Sequence, residues 1–96
     1  MPLTGHKILI VENEIGFFVR ELQKALEAAG AETLVARSLV VALVRMEMLT
    51  FTAVAASAEH SDIEKHAKVP LLIYGQGFTP RKADVVVTEM IRLMKG

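Results

Sequence analysis

The 96-residue chain carries 11 basic and 11 acidic residues, so its formal net charge is zero, and 52% of its residues are hydrophobic. That balance gives no general attraction to nucleic acid or acidic lipid and excludes a disordered chain. With no cysteine there is no disulfide framework. No apolar run is long enough to span a membrane, and the opening Met1-Pro2-Leu3-Thr4-Gly5 lacks the apolar stretch of a secretory leader, which together point to a cytoplasmic protein. The length suits one compact domain over residues 1–96.

His6 to Val11 is a short, nearly continuous apolar run, as expected of a parallel strand covered on both faces (β1). Ile15, Phe18, Val19, Leu22, Leu26 and Ala29 then recur at helical spacing, with Arg20, Glu21, Lys24 and Glu27 mostly off the stripe. This predicts α1, with Asn13 as its cap and Gly30 as its end. Thr33 to Ala36 reads as β2, and Ser38 is placed to cap α2, which runs to about Leu49. Leu39, Ala42, Leu43 and Met46 form an ordinary core stripe on α2, yet Val40, Val41, Val44 and Met48 leave it little polar face. Phe51 to Ala56 and Val69 to Tyr74 read as β3 and β4, with a polar stretch between them in which Ser61 can cap a short helical turn.

After the Gly75-Gln76-Gly77 turn, Thr79 as cap and Pro80 at the first helical position signal a last helix. Ala83, Val86, Val87, Met90 and Met94 make its apolar stripe. The β-branched run Val85-Val86-Val87 admits a strand over Ala83 to Thr88 instead, but that would leave barely a helical turn after it, so one long helix is favoured. The alternation of strand and helix implies a parallel sheet with helices on its faces.

Lys7-Ile8-Leu9-Ile10-Val11-Glu12-Asn13-Glu14, followed by an amphipathic helix ending at Gly30 and another strand, closely resembles the opening of bacterial response-regulator receiver domains. The strand ending Ala55-Ala56-Ser57 resembles the one that carries the phospho-accepting aspartate in that family, and Val69 to Gly75 resembles its fourth strand. The resemblance implies a flavodoxin-like α/β three-layer sandwich of sheet order 2-1-3-4, with the fourth helix and fifth strand missing between Gly75 and Thr79. Receivers bind Mg²⁺ through an acidic pair and the acceptor aspartate. Here Glu12 matches the first acid, but Asn13 stands at the second position and Ser57 at the acceptor. Gly75 aligns with the switch hydroxyl residue, and the family's lysine has no counterpart. The resemblance therefore implies a degenerate phosphorylation site at Glu12, Asn13, Ser57 and Gly75 in a pseudo-receiver.

Other chemistry in the sequence is sparse. Glu12 and Glu14 are the candidate cation ligands, although both also suit a helix N-terminus; no cofactor is expected, with Mg²⁺ the one that the resemblance raises. His60, Asp62, Glu64 and His66 lack the pattern of a zinc site, and Ser57 lacks the surroundings of a hydrolase nucleophile. No catalytic constellation emerges, so the expectation is not an enzyme but a module for protein–protein interaction in a bacterial two-component or phosphorelay pathway. Its expected partners are a second copy of itself, through Val40, Val41, Val44 and Met48, and a signalling protein. The competing readings are a phosphorylatable module with a displaced acceptor such as Asp62, and a small-ligand or nucleotide binder at the strand ends.

Overall fold

The computed structural model describes residues 1–95. Four parallel strands, β1 (Lys7–Val11), β2 (Glu32–Ala36), β3 (Ala53–Ser57) and β4 (Leu71–Tyr74), form one sheet of order β2-β1-β3-β4. Helices α1 (Phe17–Ala28) and α3 (Ala83–Met94) lie together on one face. The other face carries α2 (Leu39–Met48) and a 3-10 segment, Ala58–Lys65, that kinks at His60. This is the expected three-layer order, and among the described residues no helix is long and apolar enough to cross a membrane.

The two central strands account for the uninterrupted apolar runs. Ile8, Ile10, Ala53 and Ala55 face the layer of α1 and α3, whereas Leu9, Val11, Val54 and Ala56 face α2, and all are fully buried. A strand covered on both faces has no polar side to present. Against it α1 buries Val19, Leu22 and Leu26, each worth roughly 1.5–3 kcal/mol of transfer free energy. Leu3, in the stretch read only as a non-leader, is also fully buried, and its N–H donates to Ala29 O at 2.8 Å.

Three local expectations need correction. Asn13 does not cap α1; the N-cap is Gly16, and Ile15 sits exposed in the loop before it. Ser61 lies inside the 3-10 segment rather than at its start. Thr79 and Pro80 do not open the last helix, whose N-cap is Lys82. Thr79 instead makes a lone parallel bridge to Tyr74, with Gly75 N–H donating to Thr79 O at 2.8 Å. A single residue thus stands beside β4 at the outer edge of the sheet, and Ala83 to Thr88 is helical. Ser38 does cap α2, its Oγ accepting from Val41 N–H at 3.1 Å.

Gly30 ends α1 in the left-handed region, at φ +105°. Its N–H donates to Glu27 O, and Ala31 N–H to Leu26 O, both at 3.0 Å, so two of the carbonyls in the last turn are satisfied by a Schellman arrangement. A Cβ at Gly30 would lie 2.7 Å from Thr4 Oγ1 and 2.9 Å from Thr4 N, whereas a Cβ at Gly5, also left-handed at φ +84°, would meet nothing within 4 Å. Gly30→Ala should therefore cost on the order of 3 kcal/mol in urea unfolding, against roughly 1 kcal/mol for Gly5→Ala, which bears only the conformational strain.

Candidate functional site

The parallel register carries the residues that follow β1, β3 and β4 to one end of the sheet. Val11 pairs with Ala56, and Ser57 with Tyr74, so Glu12, Ser57 and Gly75 emerge side by side at the carboxyl ends, where open parallel sheets bind ligands. Gly75 sits at φ +102°, a conformation that a side chain would strain, although a Cβ there would meet nothing closer than Ala58 Cβ at 3.6 Å. The structure thus brings together Glu12, Asn13, Ser57 and Gly75, although they span more than half of the sequence. Beside them opens a cleft of about 830 Å³ bordered by Glu14, Ser57, Glu59, Gly75, Phe78 and Arg81.

Glu12 is the centre of this end. Its side chain is 1% exposed, and a carboxylate taken out of water needs both charge and hydrogen-bond compensation. Arg81 supplies the charge, Nη1 lying 2.6 Å from Glu12 Oε1. Tyr74 donates its hydroxyl to the same oxygen at 3.1 Å. Glu14 N–H donates to Oε2 at 3.3 Å. With its amide turned so that both ends are satisfied, Asn13 donates from Nδ2 to Glu12 Oε2 at 3.3 Å and to Glu59 Oε2 at 3.0 Å. A carboxylate offers about four lone-pair positions, and these donors take up all of them.

Arg81 is held from behind as well. Its guanidinium lies 4.6 Å from the Phe18 ring centroid and 5.8 Å from that of Tyr74, within cation–π range, and the two rings are themselves 5.0 Å apart. The family's lysine has no counterpart in the sequence, so the resemblance assigns no basic residue to this site. Arg81 follows Pro80 instead, just past the one-residue bridge at Thr79. The need for one cation near Glu12 was the available signal.

The remaining groups are unevenly engaged. Ser57 Oγ is buried without a hydrogen-bond partner in the protein, and so is His60 Nε2. Glu14 and Glu59 are exposed. Asp62, the candidate displaced acceptor, is also exposed, 3.9 Å from Lys65 Nζ. Val40, Val41, Val44 and Met48 are 70, 39, 49 and 76% exposed on the outer face of α2.

No protein-family model matches the sequence, and no curated protein is similar to it. Solved structures do match. The N-terminal domain of a response regulator/sensory box/GGDEF three-domain protein from Carboxydothermus hydrogenoformans superposes with a TM-score of 0.66 at 16% identity, covering 93% of this chain and 96% of that one. The chain has the receiver fold. A fusion bearing the trimeric coiled coil of yeast Spc42 also superposes, with a TM-score of 0.71 at 16% identity over 99% of this chain and 83% of that one. At such identities the likeness concerns the backbone alone, and within the receiver fold this chain's strand ends are built from its own residues.

Tyr74 is the single tyrosine of a chain without tryptophan, so it reports on this site directly. Burial first, then the charge of Glu12 and the hydrogen bond to it, push its ionisation well above the ordinary value of 10.0. The folded phenol keeps its proton where the unfolded one loses it, so its contribution is intact below about pH 10 and lost as pH rises further. Tyrosinate absorbance should therefore appear only together with loss of helical circular dichroism, and Tyr74→Phe should flatten the alkaline fall in stability.

Proposed function

We propose that this chain is a signalling module of receiver fold that does not accept a phosphoryl group and acts by binding other proteins in a bacterial two-component or phosphorelay pathway, in the cytoplasm and not as an enzyme. The observation that carries the reading is the pair of oxygens at the strand ends. Ser57, at the end of the central strand β3, has no carboxylate to form an acyl phosphate. Its neighbour Glu12 is already neutralised by Arg81, so the pair offers little to a hard cation, which takes carboxylate oxygens. Incubation with acetyl phosphate and Mg²⁺ should leave the intact mass unchanged under mild conditions. A gain of one phosphoryl group mapped to Asp62 or Glu59 would sink the proposal in favour of a displaced acceptor.

The first partner in this reading is a second copy of the chain. The receiver resemblance leads one to expect a fuller helical layer on the α2 face, and here α2 shares it only with a kinked 3-10 segment. Val40, Val44 and Met48 recur every fourth residue, so they align on one side of α2 with Val41 beside them. Two-fold pairing places such a stripe against itself and removes it from water. Sedimentation should show a dimer for the parent and for Arg20→Glu, a charge change on the exposed side of α1, and a monomer for Val44→Glu. A parent that stays monomeric at high concentration would remove this partner from the reading.

A further inference from the structure

The receiver resemblance raises a divalent cation at the carboxyl ends of the strands, and the donor set here does not fit one. Every acceptor position of Glu12 is used inside the protein, by Arg81, Tyr74, Asn13 and the Glu14 backbone. Asn13 brings an amide in place of a second charge. We infer that Arg81 is the resident cation of this site: its guanidinium balances the buried carboxylate in place of a metal ion, and divalent-cation binding is latent until that side chain is removed.

Three observations support this. The first is burial, because a carboxylate 1% exposed must be neutralised by something, and Arg81 is the residue that touches it with a full positive charge. Unlike an exchangeable ion, a guanidinium stays charged at any pH the protein survives. The second is how Arg81 is positioned. Gly75 N–H donates to Thr79 O and Phe78 N–H to Gly75 O, both at 2.8 Å, which closes the turn that precedes Pro80 and Arg81. Phe18 then backs the guanidinium. The loop is thus held by contacts within the chain itself.

The third observation is what lies unused around the pair. Glu14 and Glu59 add two carboxylates at the same strand ends, with Glu59 joined to Glu12 through the Asn13 amide. Ser57, 2% exposed, borders the cleft with an Oγ that has no partner. Among the described residues no three metal-binding side chains stand close enough to hold an ion as they are, so what remains without Arg81 is a net negative strand end where a largely hydrated Mg²⁺ or Mn²⁺ can supply the missing charge through one or two carboxylates. One arginine therefore separates a self-contained site from a metal-binding one. The inference goes beyond the proposed signalling role and does not rest on it, since it concerns the electrostatics of the folded chain whether or not phosphoryl transfer occurs.

The test compares the parent chain, Arg81→Met, and Arg81→Met combined with Glu12→Gln. Methionine keeps an apolar stem against Phe18 while removing the charge. Each protein is titrated with MgCl₂ and MnCl₂ at matched ionic strength, following Tyr74 fluorescence and the thermal midpoint. The parent should respond to neither salt. Arg81→Met should melt lower in metal-free buffer and regain stability saturably with Mg²⁺, binding it about tenfold or more tighter than the parent. The double variant should lose that response. Equal Mg²⁺ midpoints for parent and Arg81→Met, or a folded Arg81→Met blind to both ions, would overturn the inference. Should Arg81→Met fail to fold without metal, refolding with Mg²⁺ present decides: recovery supports the assignment, and failure there too overturns it.

Discussion

A carboxylate buried at the end of the first strand organises this molecule. Glu12 follows four fully buried residues of β1, and the sheet leaves it nowhere to go but inward, at 1% exposure. In that position an unneutralised charge would be prohibitive, since the protein interior cannot replace the hydration it has lost. Two of its donors come from distant parts of the chain, Tyr74 from the end of β4 and Arg81 from the loop before α3, while the backbone of Glu14 joins them from two residues on. Satisfying one side chain therefore fixes the sequence-distant segments at the functional end of the sheet relative to one another.

The same requirement reaches into the packing of the helical layer. Phe18 of α1 packs against both Arg81 and Tyr74, so the first turn of α1 is held against the loop that leads into α3. From there Val86 and Met90 of α3 join Leu22 and Leu26 of α1 in one buried cluster. Electrostatics at the strand ends and apolar burial along the helices thus specify the same arrangement, and such agreement between levels favours a single structure.

The two faces of the sheet differ in consequence. On the side of α1 and α3 the chain closes its own core. On the other, a ten-residue helix and a kinked 3-10 segment share the cover, and α2 buries only Ala42 completely. A 3-10 helix packs poorly over a long run, which limits how much of that face the segment can protect. The closed end and the open face together suit the proposed division of labour: a strand-end site occupied by its own ion pair, and an apolar stripe left for association.

Periodicity was enough for the strands and helices themselves, because a doubly covered strand and an amphipathic helix write their burial directly into the spacing of apolar residues, whereas the strand order 2-1-3-4 came from the receiver resemblance. Ser38 and Gly30 were legible for the same local reason, each acting on backbone groups within a few residues of itself. Asn13, Thr79 and Pro80 were misread because residues that suit a helix start also suit other work. Asn13 is engaged by two carboxylates, and Thr79 by the outer edge of β4. The altered residues at the strand ends stand in the sequence, but their electrostatics do not. Glu12 and Arg81 lie 69 positions apart, and no pattern of spacing links them. By itself the sequence determined most of the apolar residues that leave water, since that depends on each side chain and its near neighbours, but not the burial of Leu3 or Glu12 or the exposure of Ile15. Which charge then answers the buried carboxylate was decided only by the tertiary structure, because the field that makes the pair necessary exists only once the sheet has closed around it.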